Sequence, residues 1–101
     1  MEMTVKKEND ALRVYLRGEL DHHEAGAIRK ELDDLLFEER PKTLIFDFSG
    51  VRFMDSSGIG LVLGRYRIVS GLGGKVTVAD APPAIAKLFK MSGVDKIVTL
   101  A

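Results

Sequence analysis

The chain has 101 residues, of which 46% are hydrophobic, and its 15 basic and 15 acidic side chains balance. This length predicts one small domain over residues 1–101, and the balanced charge argues against binding to nucleic acid or to an anionic membrane. The sequence has no cysteine, which excludes disulfides and cysteine-ligated metals. It shows neither an apolar run of about 20 residues nor a signal-peptide pattern, so we expect a cytoplasmic protein.

The first half of the chain predicts a hairpin followed by a helix. A strand over residues 3–7 precedes a second strand over residues 12–17, in which apolar and polar residues alternate. We expect a loop over residues 18–23 and a helix over residues 22–38, which Pro41 prevents from continuing. The apolar stripe of this helix comprises Ala25, Ile28, Leu32, Leu35 and Leu36.

The second half alternates strands with helices. The apolar run over residues 43–48 predicts a central strand covered on both faces. A helix then begins at the serine pair Ser56 and Ser57 and ends near Gly71, and a strand follows over residues 75–79. The inward-facing residues of this helix are predicted to be Ile59, Val62, Leu63, Tyr66 and Val69.

The last part of the chain predicts a third helix and a short final strand. Proline at positions 82 and 83 suits the first turn of a helix, and Gly93 suits its end. Ile85, Leu88 and Phe89 are predicted to face inward, and residues 96–100 to form the strand. The order ββαβαβαβ predicts an α/β fold with a mixed, mostly parallel sheet and right-handed crossovers.

The most informative segment covers residues 54–60 and reads MDSSGIG. It places two serines at a helix start, where backbone N–H groups and the positive end of the helix dipole favour a phosphate group. From spacing alone, the favoured role of Ser56 is to cap the helix. Gly58 and Gly60 allow either close packing of the helix on a strand or close approach of a partner to bare backbone.

A second polar cluster precedes the first helix and comprises Glu19, Asp21, His22 and His23. Asp21 is predicted to be the N-cap, and Glu24, three residues later, would complete a capping box. Because the carboxyl ends of neighbouring parallel strands lie side by side, we expect the loop ending at His22 to adjoin the loop ending at Ser56.

Neither cluster predicts a metal site or catalysis. Side chains of adjacent histidines diverge, and the sequence has no His-x-x-x-His spacing, so we predict no metal site and no cofactor. Ser56 lacks the Gly-x-Ser-x-Gly elbow of hydrolases. Asp55 is too close to Ser56 in sequence to orient a histidine toward that serine. We interpret Asp55 as a carboxylate that orders the loop.

Three segments resemble the anti-sigma factor antagonists, which are bacterial STAS-domain proteins, and in particular those of the sporulation anti-sigma-F factor. The segments are GELDHH at residues 18–23, FMDSSGIG with LGRY within residues 53–66, and LFKMSGVDKI at residues 88–97. The resemblance implies that Ser56 is phosphorylated and that Ser57 caps the helix or lies in its first turn. It further implies a partner-binding surface of Glu19, Asp21, His22, Asp55, Ser56, Ser57, Gly58 and Gly60.

The same resemblance implies a switch without catalytic activity. The unphosphorylated protein would bind an anti-sigma factor that is also a serine kinase, with its bound ADP or ATP, and the sigma factor would be released. Phosphorylation of Ser56 would inactivate the protein, and a serine phosphatase would restore it. The alternative is a ligand-sensing STAS module that binds a nucleotide phosphate at residues 56–58, although no P-loop motif supports it.

Overall fold

A computed structural model describes residues 1–101 as a five-stranded sheet with three α-helices. The strands are β1 (Glu2–Glu8), β2 (Ala11–Leu20), β3 (Thr43–Met54), β4 (Lys75–Ala79) and β5 (Thr99–Leu100), and the helices are α1 (His22–Glu39), α2 (Ser56–Gly71) and α3 (Pro83–Ser92). The strands follow chain order across the sheet. Only β1 and β2 pair antiparallel, and the other pairs are parallel. The predicted mixed α/β fold is therefore confirmed.

The three helices cover one face of the sheet. Each parallel crossover moves one strand in the same direction, and right-handed crossovers of this kind place successive helices on the same side. Accordingly, α1 packs on α2, and α2 contacts α3. The prediction that β3 is covered on both faces is wrong, because Phe46 and Phe48 lie in the core while Ile45, on the opposite face, stays partly exposed.

The uncovered face of the sheet holds a buried carboxylate, Asp47. Arg13 Nη2 donates to Asp47 Oδ2 over 2.7 Å, and the Ser49 hydroxyl donates to Oδ1 over 2.6 Å. Burial opposes ionisation of Asp47, but the hydrogen bonds from Ser49 and Arg13 outweigh it, so the pKa of this carboxyl lies below its ordinary value. An acidic residue can therefore be buried on this strand, because both of its carboxylate oxygens accept hydrogen bonds.

The core lies between the sheet and the helices. On α1, the predicted stripe is buried at Ala25, Ile28, Leu32 and Leu36, and Leu35 packs beside it. On α2, Val62 and Val69 are buried as predicted. The stripe also includes Leu61 and Arg65, which the sequence analysis missed, while Ile59, Leu63 and Tyr66 are only partly buried.

On α3, the core side is narrower than predicted. Ile85 and Phe89, four residues apart, are buried, whereas Leu88 is 38% exposed and its predicted inward orientation is wrong. Leu88 precedes Phe89 by one position, which rotates its side chain by about 100° around the helix. Gly93 ends the helix in the left-handed region at φ 80°, as predicted. None of the helices combines the length and apolar character that a membrane-spanning segment requires.

Two strands continue beyond their predicted ends, and one strand is shorter than predicted. β2 continues to Leu20, because Gly18 at φ 118° lets the strand pass through a register shift instead of ending. β3 likewise continues to Met54, and only the N-cap Asp55 separates it from the serine pair. The predicted strand over residues 96–100 shrinks to Thr99–Leu100, because a 3₁₀ turn occupies Val94–Lys96.

Candidate functional site

The starts of α1 and α2 lie side by side at one edge of the sheet. Leu20 at the end of β2 pairs with Met54 at the end of β3, and the Asp55 N–H donates to the Leu20 carbonyl over 3.3 Å. The two helix starts touch through the Ser57 hydroxyl and His22 Nδ1, which are 3.3 Å apart. The predicted proximity of the two loops is therefore confirmed.

Each of the two helices begins at an aspartate N-cap. The Asp21 carboxylate accepts from the Glu24 N–H over 2.9 Å, and the Asp55 carboxylate accepts from the Ser57 N–H over 2.8 Å. The capping role predicted for Asp21 is confirmed. The capping role that spacing favours for Ser56 is wrong, because the charged acceptor one residue earlier takes that position at the positive end of the helix dipole.

The predicted capping box at α1 forms only in part. The Asp21 carboxylate accepts from the Glu24 N–H, as a capping box requires. The Glu24 carboxylate, however, lies 3.6 Å from the amino group of Met1 and does not bond the Asp21 backbone. Glu24 therefore adds a negative charge to the first turn of α1 and anchors the start of β1 to it.

Ser56 is the first residue of α2 and is exposed, whereas Ser57 is partly buried against His22. Asp55 already accepts hydrogen bonds from two of the first N–H groups of this helix. Its carboxylate bonds the Ser57 N–H, and its carbonyl accepts from the Gly58 N–H over 3.0 Å. The helix start thus presents a hydroxyl to solvent but few free N–H groups, which counts against a nucleotide phosphate bound at residues 56–58.

The two glycines of this segment differ in their surroundings. Gly58 is buried, and a Cβ there would collide with the side chain of Met54 and press on Leu20. Gly60 is exposed, and a Cβ there would meet nothing within 4 Å. Close packing of helix on strand therefore explains Gly58, while Gly60 leaves bare backbone at the surface.

The structure adds Phe53, which the sequence analysis did not assign to the site. Phe53 is 50% exposed and pairs in register with Glu19, which is also exposed. The alternation of side chains along a strand predicts this exposure. Met54 points into the core, so its neighbour Phe53 points to the opposite face. An exposed aromatic side chain thus lies three residues before Ser56.

A cleft of about 460 Å³ lies between α1 and α2, directly beside the serine pair. Its lining includes His22, Gly26, Arg29, Ser57, Gly60 and Arg65. Arg65 is a buried cation whose Nε lies 2.8 Å from Asp33 Oδ1. The spacing Leu61–Arg65–Val69, four residues apart in each step, is the sequence signal that places this arginine on the buried side of α2.

The comparisons with known proteins agree with this arrangement. Residues 2–101 match the STAS domain family. The chain is 33% identical to the anti-sigma F factor antagonist of Paenibacillus polymyxa over 100 residues, which are 99% of this chain and 86% of that protein.

Two solved structures share the fold over nearly the whole chain. The anti-sigma factor antagonist SpoIIAA in its unphosphorylated form is similar with a TM-score of 0.86 at 33% identity, over 99% of this chain and 88% of that one. The Bacillus cell fate determinant SpoIIAA in its phosphorylated form is similar with a TM-score of 0.78 at 33% identity, over 99% and 91%. The chain therefore belongs to the STAS-domain family, among its anti-sigma factor antagonists.

Proposed function

We propose that this chain is a phosphorylation-controlled switch without catalytic activity, and that Ser56 is its phosphoacceptor. The observation that carries the proposal is the position of Ser56. It is an exposed hydroxyl at the first residue of α2, while the neighbouring Ser57 hydroxyl is engaged with His22. A similar protein, SpoIIAA, is known in unphosphorylated and phosphorylated forms, which supports the same chemistry here.

The unphosphorylated form binds an anti-sigma factor that is a serine kinase holding ADP or ATP, and this binding releases the sigma factor. The docking surface comprises Glu19, Asp21, His22, Asp55, Ser56, Ser57, Gly58 and Gly60, to which we add Phe53. Gly58 contributes to this surface indirectly, because it is buried and sets how closely α2 packs on β3. The adjacency of the two helix starts supports one continuous surface.

The kinase inactivates the switch by transferring the γ-phosphoryl group of ATP to Ser56 Oγ, with loss of the hydroxyl proton and formation of ADP. A serine phosphatase hydrolyses the ester and restores the hydroxyl. The phosphate adds roughly 1.5 to 2 negative charges beside the Asp55 carboxylate. In a docked complex this charge must be desolvated, so association weakens, while the helix dipole lets the folded domain tolerate it.

The contact between Ser57 and His22 does not make a hydrolytic site. A nucleophilic serine needs a base that is itself oriented by a third group. His22 is exposed, and its only side-chain hydrogen bond is the 3.3 Å contact with Ser57. This supports the proposed absence of catalysis.

Phosphopeptide mapping tests the acceptor. The protein is incubated with the anti-sigma factor kinase and ATP, and the modified residue is located by mass spectrometry. We expect one phosphate on Ser56, none on Ser56→Ala, and one phosphate still on Ser56 in Ser57→Ala. Ser70→Ala removes an exposed serine of the same helix outside the docking surface, so it serves as the matched control and should react like the unmodified protein. Modification confined to Ser57 would contradict the assignment.

A binding titration tests the nucleotide alternative. We expect no saturable binding of ADP or ATP by this chain alone, and tight binding to the kinase when ADP is present. Saturable nucleotide binding at residues 56–58 in the absence of the kinase would favour the ligand-sensing function instead.

A further inference from the structure

The two edges of the sheet are protected to different degrees. The edge strand β5 has only two residues, whereas the edge strand β1 has seven and pairs with β2 without a register shift. Short strands, bulges and prolines are common devices that keep an edge from pairing with another chain, and β1 contains none of them. The outer row of backbone N–H and C=O groups on β1 is therefore open to a further strand.

The side chains of β1 carry charges and apolar groups that the chain leaves unpartnered. Glu2 and Lys6 are exposed on the uncovered face of the sheet, and neither takes part in an ion pair of this chain. On the other face, Met3 packs at the margin of the core and Val5 is 38% exposed. All four side chains are thus available for contacts across a strand pair.

The order of these residues is complementary to itself. Two copies of β1 can pair antiparallel about a two-fold axis that passes beside Thr4, perpendicular to the sheet. Glu2 of each copy then lies opposite Lys6 of the other, and Met3 of each copy lies opposite Val5 of the other. Directly opposed side chains share a face of the sheet, so the charges meet charges and the apolar groups meet apolar groups.

Charge selects this register over its neighbours. With the axis at Met3, Glu2 would lie opposite Thr4 and gain no counter-charge. With the axis at Val5, Glu2 would lie opposite Glu8, and with the axis at Lys6, that lysine would lie opposite itself. Opposite charges across a pair stabilise it and like charges destabilise it. Of the registers centred on residues 3–6, only the one centred on Thr4 pairs Glu2 with Lys6.

We propose that the free edge of β1 is a dimer interface, and that its partner is a second copy of this chain. The same surface meets itself across the axis, which is the arrangement of most symmetric protein dimers. The two sheets join into one continuous sheet with the helices of both copies on the same face. Because the strands reverse direction across the axis, the starts of α1 and α2 in the two copies lie at opposite ends and stay open. The dimer does not depend on the proposed switch.

Sedimentation velocity of the full chain over a series of concentrations measures the dimer dissociation constant. Glu2→Lys should raise this constant about tenfold, because both pairs of Glu2 with Lys6 become repulsive. Glu2→Lys combined with Lys6→Glu should restore it, because the two charges then meet in exchanged positions. Glu8→Lys is the matched control, since it makes the same change of charge at an exposed residue of β1 outside the paired segment.

Disulfide trapping tests the register separately. Thr4→Cys introduces the only cysteine of the chain at the axis, where directly opposed Cβ atoms lie about 4.5–5.5 Å apart and a disulfide needs little adjustment. At equal concentration, oxidation should link Thr4→Cys into dimers about tenfold faster than Glu8→Cys, because the dimer holds the two thiols of Thr4→Cys together.

Three results would overturn the proposal. The first is a chain that stays monomeric up to millimolar concentration. The second is a dimer that Glu2→Lys and Glu8→Lys weaken equally, or that the exchange of charges between Glu2 and Lys6 does not restore. The third is equal rates of oxidation for Thr4→Cys and Glu8→Cys, which would place any dimer contact outside the edge of β1.

Discussion

The starts of α1 and α2 share a cap backbone conformation but differ in their cap hydrogen bonds and chemical settings. Asp21 has φ −98° and ψ −177°, and Asp55 has φ −102° and ψ −172°, so both caps leave an extended strand in the same conformation. Each offers its carboxylate to an N–H of the first helical turn. The two starts therefore have equivalent backbones at the ends of neighbouring strands, although the bonded N–H is three residues after Asp21 and two residues after Asp55.

Their first turns differ. α1 continues with His22, His23 and the acidic Glu24, whereas α2 continues with two serines and Gly58 and has no acid. A phosphate at the start of α2 therefore meets one carboxylate, from the cap, whereas a phosphate at the start of α1 would meet two. The conformation of the cap backbone therefore does not distinguish the proposed acceptor. What distinguishes it is that α2 begins with a serine and has no acidic residue in its first turn.

The largest expected effect concerns charge at the start of α2. Ser56→Asp should weaken binding to the ADP-loaded anti-sigma factor kinase, and phosphorylation should weaken it by ~2–5 kcal/mol, or tens- to thousands-fold. One carboxylate mimics a phosphate only in part, so Ser56→Asp should weaken kinase binding less than phosphorylation does. Calorimetric titration measures both, and Ser56→Ala, which adds no charge, should still bind the kinase and resist inactivation by ATP.

Ser70→Asp is the control for that experiment. It makes the same substitution at an exposed position near the other end of α2, so kinase affinity should not change. Amide NMR spectra of the phosphorylated protein should change only near the two helix starts. A global spectral change, or equal affinity of the modified and unmodified forms, would rule out a local electrostatic mechanism.

The next effect separates the two glycines of α2. Gly58→Ala should destabilise the fold by roughly 1–3 kcal/mol, because the added methyl overpacks against Met54 and Leu20. Gly60→Ala adds the same methyl in open space and should stabilise the helix by up to about 1 kcal/mol. Urea denaturation of both variants measures the free energy of unfolding. Equal changes in the two variants would show that helix propensity, not packing, sets the role of Gly58.

Much of this architecture could be predicted because its signals are local. Apolar periodicity marked the strands and helices, and Pro41 and Gly93 marked where two helices end. The adjacency of the loop ending at His22 and the loop ending at Ser56 also followed from sequence, because parallel strands bring their carboxyl ends to one edge. The elements are marked by residues a few positions apart, and the general rule for parallel strands then places the two loops together.

The features that escaped prediction depend on tertiary position. Asp55, Ser56 and Ser57 can all cap a helix, and only the point where β3 ends selects Asp55. The uncovered sheet face follows from the direction of the crossovers, which the apolar run over residues 43–48 does not encode. The spacing of Leu61 and Val69 marks the side of α2 on which Arg65 lies, but the burial of its charge depends on α1 bringing Asp33 within reach.

The smallest expected effect tests whether the two caps are equivalent for stability but not for binding. Asp21→Ala and Asp55→Ala should each lower the free energy of unfolding by ~1 kcal/mol, because each removes one cap hydrogen bond. Asp21→Asn and Asp55→Asn should restore most of that stability, since asparagine caps nearly as well without the charge. If the partner contacts the charge, the asparagine variants should still bind the kinase more weakly than the unmodified protein. Folded Asp21→Asn with unchanged kinase affinity would remove the start of α1 from the docking surface and leave α2 as the only switch element.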